Sequence, residues 1–393
     1  MASSAIYGGS ITACLLHTPG TPASAATAAD GFALTKQGKG LKAIGVSTVA
    51  SMIGGTISAI ALLFIAPALS QVALKFSSLE YFLIGVFGLT IIGSLAGDNM
   101  MKGLLSGCLG LMIGCIGLDI QSSAPRYCFG ILELQSGIQL VPAMIGLFSL
   151  SQVMFSIEDV AKGKHTVLDE NAKNLTGSPV PTWKEFKPLI PTIAQSSIIG
   201  VLVGILPGAG GDIGSWISYN TAKNSSKHPE EFGTGIPDGI WAPEVANNAS
   251  VGGAVIPMIA LGIPGDGTTA MLLGGLTIHG IQPGPLMQQN NPVFTYMIFL
   301  SALLAAILCL LVEIFGIRWF PKLLDAPYHF LYPAILALCL LGVYIETFNI
   351  ANIIMACFFI AVGLYMMYAG IPTTPFILSF VLGSQMENYF RKA

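Results

Sequence analysis

The sequence predicts an all-α, polytopic membrane protein built from two inverted repeats, with a re-entrant hairpin and broken helices at the membrane midplane. Three observations predict it. Of 393 residues, 53% are hydrophobic and only 9% charged, against about a quarter charged in an ordinary soluble domain. Uncharged runs at 43–69, 134–157, 188–211, 293–312 and 347–386 reach or exceed the ~20 residues a helix needs to cross ~30 Å of hydrocarbon. Some of the most apolar stretches also carry a Pro-Gly kernel, as in LGIPGDGTTAML (261–272).

The last run is long enough for two crossings, and shorter runs at 81–97 and 103–118 are expected to span as well. No strands of alternating polarity appear, so backbone groups in lipid must be satisfied within helices. A net charge of −3 without blocks of like charge gives no footing for nucleic acid. Seven scattered cysteines, with no CxxC and no histidine spacing for a metal, read as small buried hydrophobes. No basic n-region with a cleavable apolar stretch opens the chain, so its first spanning helix is expected to target it.

Self-comparison finds the repeat. YGGSITACLLHTPGTPASA (7–25) aligns with VGGAVIPMIALGIPGDGTTA (251–270). Gly8 and Gly9 match Gly252 and Gly253; after a one-residue insertion Pro19-Gly20 match Pro264-Gly265, and Ser24 faces Thr269. Further on, Gly110, Gly117 and Gly130 correspond to Gly363, Gly370 and Gly383. The predicted organisation is a first repeat over 1–157, a cytoplasmic linker over 158–187 and a second repeat over 188–393. Residues 188–250 have no counterpart before residue 7, so the first repeat is expected to lack its N-terminal hairpin segment. Basic loops stay cytoplasmic. The segment 30–42, expected as the loop after the first Pro-Gly element, carries three lysines and its counterpart loop 279–292 no lysine or arginine, while Arg318 and Lys322 in the second half stand against Lys75 alone in the first. That reversal predicts inversion.

In LGIPGDGTTAML, proline removes a backbone donor and the glycines lower the cost of leaving the helix, so 262–267 should unwind. Unwound backbone at membrane depth survives only where protein or a water-lined cavity satisfies it. The helix resuming at Thr268 or Thr269 would offer hydroxyl caps and a positive dipole end, which suits an anion. The plain alternative is a proline kink packed against its neighbours. HTPGTPASAAT repeats the kernel, with Ser24 and Thr27 following it, and Ser10 lies on the helix ahead of it. A third kernel, GILPGAGGDIGSW (204–216), reads as a re-entrant hairpin with Pro207, Gly208 and Gly210 at its tip; without GxxxxGK[ST] it is no phosphate loop.

The expected solute-binding residues are therefore Ser10, Pro19, Gly20, Ser24, Thr27, Pro207, Gly208, Gly210, Pro264, Gly265, Thr268 and Thr269. In APEVANNASVGG (242–253), Asn247 and Asn248 could bind a carboxylate or a small hard cation, and Glu244 could cap a helix N-terminus. Asp212 and Asp266, beside the kernels, join the two asparagines as candidates for ion coupling.

These segments, with the SKHPEEFGTG loop (226–235) and LGIPGDGTTAMLLGGLTIHGIQPGP, resemble the signature stretches of the large membrane subunit of tripartite tricarboxylate transporters, along essentially the whole chain. The resemblance implies a secondary transporter of the bacterial cytoplasmic (inner) membrane. It would work with a small membrane subunit and a periplasmic solute-binding protein, and sodium or protons would drive carboxylate uptake. The chain departs from the family pattern in starting just ahead of YGGS and in placing His17 and Thr18 before the first Pro-Gly. No cofactor is expected beyond the coupling ion, a sodium ion being the one metal considered. An integral-membrane enzyme would need a catalytic constellation, whereas the histidines at 17, 165, 228, 279 and 329 are dispersed; a passive anion channel is the other alternative.

Overall fold

The computed structural model describes residues 2–17, 20–90, 99–119, 122–162, 179–207, 210–317, 319 and 328–392. In chain order the helices are α1 (Ala2–Leu16), α2 (Ala25–Lys36), α3 (Gly40–Ala73), α4 (Ser78–Thr90) and α5 (Met100–Gly114). Next, α6 (Leu140–Met144) runs through a π-helical segment (Ile145–Leu150) into α7 (Ser151–Ala161). The remainder are α8 (Ile190–Ile205), α9 (Gly210–Ser225), α10 (Asp238–Leu261), α11 (Gly267–Ile278), α12 (Pro292–Gly316), α13 (Tyr328–Thr347), α14 (Ile350–Tyr368) and α15 (Thr374–Lys392). Among the described residues the only ladder is a two-residue antiparallel pair, Gly117–Leu118 with Pro125–Arg126.

The protein is all-α and multi-pass. Helical stretches Gly40–Ala73, Leu140–Glu158, Trp183–Ile205, Pro292–Gly316 and Ile350–Tyr368 are long and apolar enough to cross a membrane. They coincide with the uncharged runs, and the 347–386 run divides into α14 and α15 where Gly370 takes φ +62°. One expectation fails: 30–42 is not a loop, because α2 extends to Lys36 and α3 begins at Gly40. Much of the 158–187 linker, residues 163–178, lies outside the described residues.

The chain forms two compact units, 1–74 with 166–266 and 283–325, and 75–165 with 267–282 and 326–393. Each draws on both sides of the linker. At the centre of the first unit stands α10, nearly every residue of it buried, packed on α2, α3, α8 and α9. Lipid offers little hydrophobic drive between helices, so close contact through small residues must hold them. The sequence supplies such residues. A Cβ on Gly204 would lie 2.9 Å from the Cα of Gly253, Gly200 meets the backbone of Ala246, and Gly54 meets the carbonyl of Val245.

The second unit pairs its segments reciprocally. Gly110 on α5 abuts the Phe376 carbonyl on α15, while its sequence mate Gly363 on α14 abuts the Leu147 carbonyl in the π-helical segment. Gly117 and Gly370 both take positive φ just past a helix end. The third proposed pair does not correspond: Gly130 occupies a left-handed loop position, whereas Gly383 lies inside α15.

Candidate functional site

Both Pro-Gly kernels interrupt their helices, and they do so in the same way. The N–H of Gly265 donates to the carbonyl of Ala254 at 3.3 Å, and that of Gly20 donates to Gly9 at 3.2 Å. After each break the chain thus folds back against its own helix. A Cβ on Gly265 would fall 2.6 Å from the Cα of Ala254, and one on Gly20 2.7 Å from the Cα of Gly9. The equivalent positions are 245 residues apart throughout. That register sets Gly9 against Ala254 rather than Gly253 and dispenses with the expected insertion.

The stop signal is Gly262, not Pro264. Gly262 takes φ +76° and its N–H donates to the Met258 carbonyl, the single bond of a left-handed glycine cap; the N–H of Ile263 donates to Pro257. His17, the equivalent residue, takes φ +54° and stacks on Phe32 at 4.9 Å. A left-handed non-glycine residue costs roughly 1–2 kcal/mol. His17→Gly is accordingly expected to raise the thermal midpoint of the purified protein; no rise would show that the Phe32 contact offsets the backbone cost.

The three kernels meet in the first unit. α8 ends at Ile205, Pro207 is buried, and α9 begins at Gly210 with φ +55°. A Cβ on Gly210 would lie 3.7 Å from the Cβ of Asp266, and one on Gly265 2.8 Å from the Gly204 carbonyl. Asp212, in the first turn of α9, accepts a hydrogen bond from the Ala23 N–H just past the first break and feels the charge of Asp266. First-turn amides of a helix lack intrahelical acceptors and carry its positive dipole end.

Asn247 faces this helix start. Its carboxamide oxygen abuts Gly211, where no side chain would fit. Only 1% exposed, it has a carboxamide whose nitrogen and oxygen find no hydrogen-bond partner among the described residues. Each such orphan costs about 1–3 kcal/mol. A buried amide left idle beside free helix amides is suited to a polar ligand, since it can donate to a carboxylate or coordinate a cation.

Glu244 has a different surrounding. It lies two turns into α10, too far along to cap it. Fully buried, it accepts from Ser10 and Thr27, both at 2.6 Å, and from Ser51 at 2.9 Å. Thus Ser10 and Thr27, expected at the solute site, point to an internal carboxylate and tie α1 and α2 to α10. Asp30 plays a similar part: its carboxylate accepts from the N–H groups of Gly233, Gly235 and Ile236 and from the Tyr219 hydroxyl. Asp30→Ala is expected to lower stability by about 3 kcal/mol, read as thermal unfolding in detergent; an unchanged midpoint would refute the anchoring role.

The family model of the tripartite tricarboxylate transporter TctA family matches residues 1–378. The chain belongs to that family. An uncharacterized 52.8 kDa protein from the TAR-I ttuC' 3' region of Agrobacterium vitis is 33% identical over 390 residues, covering 98% of this chain and 76% of the relative. An uncharacterized protein from the TAR-II ttuC' 3' region of the same organism is 34% identical over 194 residues, covering 49% of this chain and 80% of the relative. No solved structure matches. As a TctA-family chain it is a tricarboxylate transporter subunit and not an enzyme.

Not every predicted residue of the TctA-family chain joins the cluster. Pro19 and Gly208 lie outside the described residues. Ser24 is spent on a reciprocal capping box with Thr21. Pro264 is buried in the break. Thr268 and Thr269 do not cap α11, which starts at Gly267; they occupy its first turn, in the second unit. Asn248 is separated from Asn247, because consecutive helix residues face different directions. Its amide donates to the Glu244 carbonyl at 3.0 Å, and it lines a small cavity with Ser51 and Glu313.

A cavity of about 460 Å³ lies in the second unit beside Arg126. It is a weaker anion site. Arg126 is engaged by Glu387 at 2.6 Å and Asp119 at 3.5 Å, and Arg391 meets the same two carboxylates.

Proposed function

We propose that this subunit carries out ion-coupled uptake of tricarboxylates or related carboxylates across the bacterial cytoplasmic membrane by alternating access. A periplasmic binding protein delivers the solute, and a small membrane subunit completes the assembly. Two inverted repeats form the framework. The equivalent fold-backs at Gly20 and Gly265 support the duplication, and the lysines at 36, 39 and 42, at and between the facing ends of α2 and α3, against none over 279–292, support the inversion.

The observation that carries this reading is the idle carboxamide of Asn247 at the start of α9, where three helix breaks meet. The α9 amides hold a solute carboxylate, Asn247 orients it or its coupling cation, and Asp212 and Asp266 attract that cation. Broken helices whose ends face an anion near the midplane are a recurring transporter device.

Uptake of radiolabelled citrate into vesicles holding the complete system tests it. Accumulation above the outside concentration, abolished when the ion gradient is collapsed, is expected. Equilibration without accumulation would identify a channel.

A further inference from the structure

Glu244 and Glu313 place two carboxylates in the interior of the first unit, and no cationic side chain among the described residues pairs with either. Glu313, in the last turn of α12, is only 5% exposed, and no described residue hydrogen-bonds or ion-pairs with it. It feels the charge of Glu244. Glu313 lines a cavity of about 10 Å³ with Ser51 and Asn248 as its other polar walls, room for about one water. Ser51 already donates to Glu244 at 2.9 Å. Ser47, one turn earlier on α3 and also beside Glu244, makes no hydrogen bond of ordinary geometry although it is buried.

The titratable groups facing the pair are Tyr7 and Cys14 from α1 and Cys309 from α12; α2 and α3 present hydroxyls. Among the described residues no lysine, arginine or histidine pairs with either carboxylate. Two like charges taken out of water together cost several kcal/mol per ion, so one positive charge must accompany them. The rest of the cavity wall includes Met52, Ala306 and Cys309, too few oxygens for a dehydrated metal ion and enough for a proton.

We propose that Glu244 and Glu313 form a proton-carrying pair bridged by Ser51 and the cavity beside Asn248, separate from the solute site. In transfer, the Ser51 hydroxyl gives its proton to Glu244 and receives the one leaving the Glu313 carboxyl. One proton moves and the negative charge changes sides. Assigning this proton to coupling rests on the uptake reading; the pair itself does not.

The test treats the purified protein with dicyclohexylcarbodiimide, which converts a protonated carboxyl in an apolar setting to a stable N-acylurea, and locates the adduct by peptide mass. Label on Glu313 is expected in neutral buffer, falling at least about tenfold in alkaline buffer as the acid ionises and unchanged when sodium chloride replaces choline chloride. No label on folded protein, or label that disappears on adding sodium, would overturn the proposal. Glu313→Gln is expected to bind carboxylate normally while uptake no longer accelerates under an acid-outside gradient; full acceleration would also overturn it. If the unaltered protein takes up no carboxylate, the uptake reading fails and the labelling still decides the pair.

Discussion

Asn247→Leu is expected to leave the protein as stable as before, or more so, while carboxylate uptake falls by about a hundredfold. The two halves of that result have separate causes. The Asn247 amide makes no hydrogen bond among the described residues, so an apolar side chain of similar volume removes a desolvation cost of about 1–3 kcal/mol and strands no described partner. Removing a hydrogen bond to the solute from the same position, at about 2.7 kcal/mol, corresponds to the hundredfold fall. Thermal unfolding and vesicle uptake on one preparation check both. A large loss of stability with proportionate loss of uptake would make Asn247 a packing residue.

Gly265→Leu is the second large effect, expected to abolish uptake and to lower the thermal midpoint. A side chain there meets the backbone of α10 at Ala254 and the Gly204 carbonyl near the end of α8. Neither can yield as a flexible side chain would, so the cost exceeds the usual ~1–3 kcal/mol of overpacking. The fold-back is unseated rather than an approach path merely blocked. Gly20→Leu, meeting Gly9 and Thr12, should behave alike. Gly8→Ala is the control: nothing lies within 4 Å of its added Cβ, and a helical Ala for Gly gains about 1 kcal/mol. Equal loss of uptake in Gly8→Ala would dissociate the effect from the fold-back.

The spans and breaks were legible because each rests on local chemistry. Uncharged length gives a crossing, and Pro-Gly inside it gives an interruption. The positions of the kernels survive in the structure, although the left-handed residues that end the helices, Gly262 and His17, carry no cue in the Pro-Gly pair itself. What could not be read was which polar group meets which. Ser10, Thr27 and Ser51 converge on Glu244 from sequence distances of 234, 217 and 193 residues, and no periodicity encodes that meeting. The one signal available was a carboxylate within APEVANNASVGG, a stretch polar for its depth. Neighbouring asparagines looked like one site in sequence, yet the helix sends Asn247 toward α9 and Asn248 toward α3 and α12.

In the proposed transport cycle the anion is held where the start of α9, the two fold-backs and Asn247 come together. A structure of the assembled transporter with citrate bound would decide this in one step. Solute density is expected within hydrogen-bonding reach of the Asn247 amide and the first-turn N–H groups of α9. Density in the Arg126 cavity of the second unit, with the Asn247 amide still facing only protein, would rule that placement out.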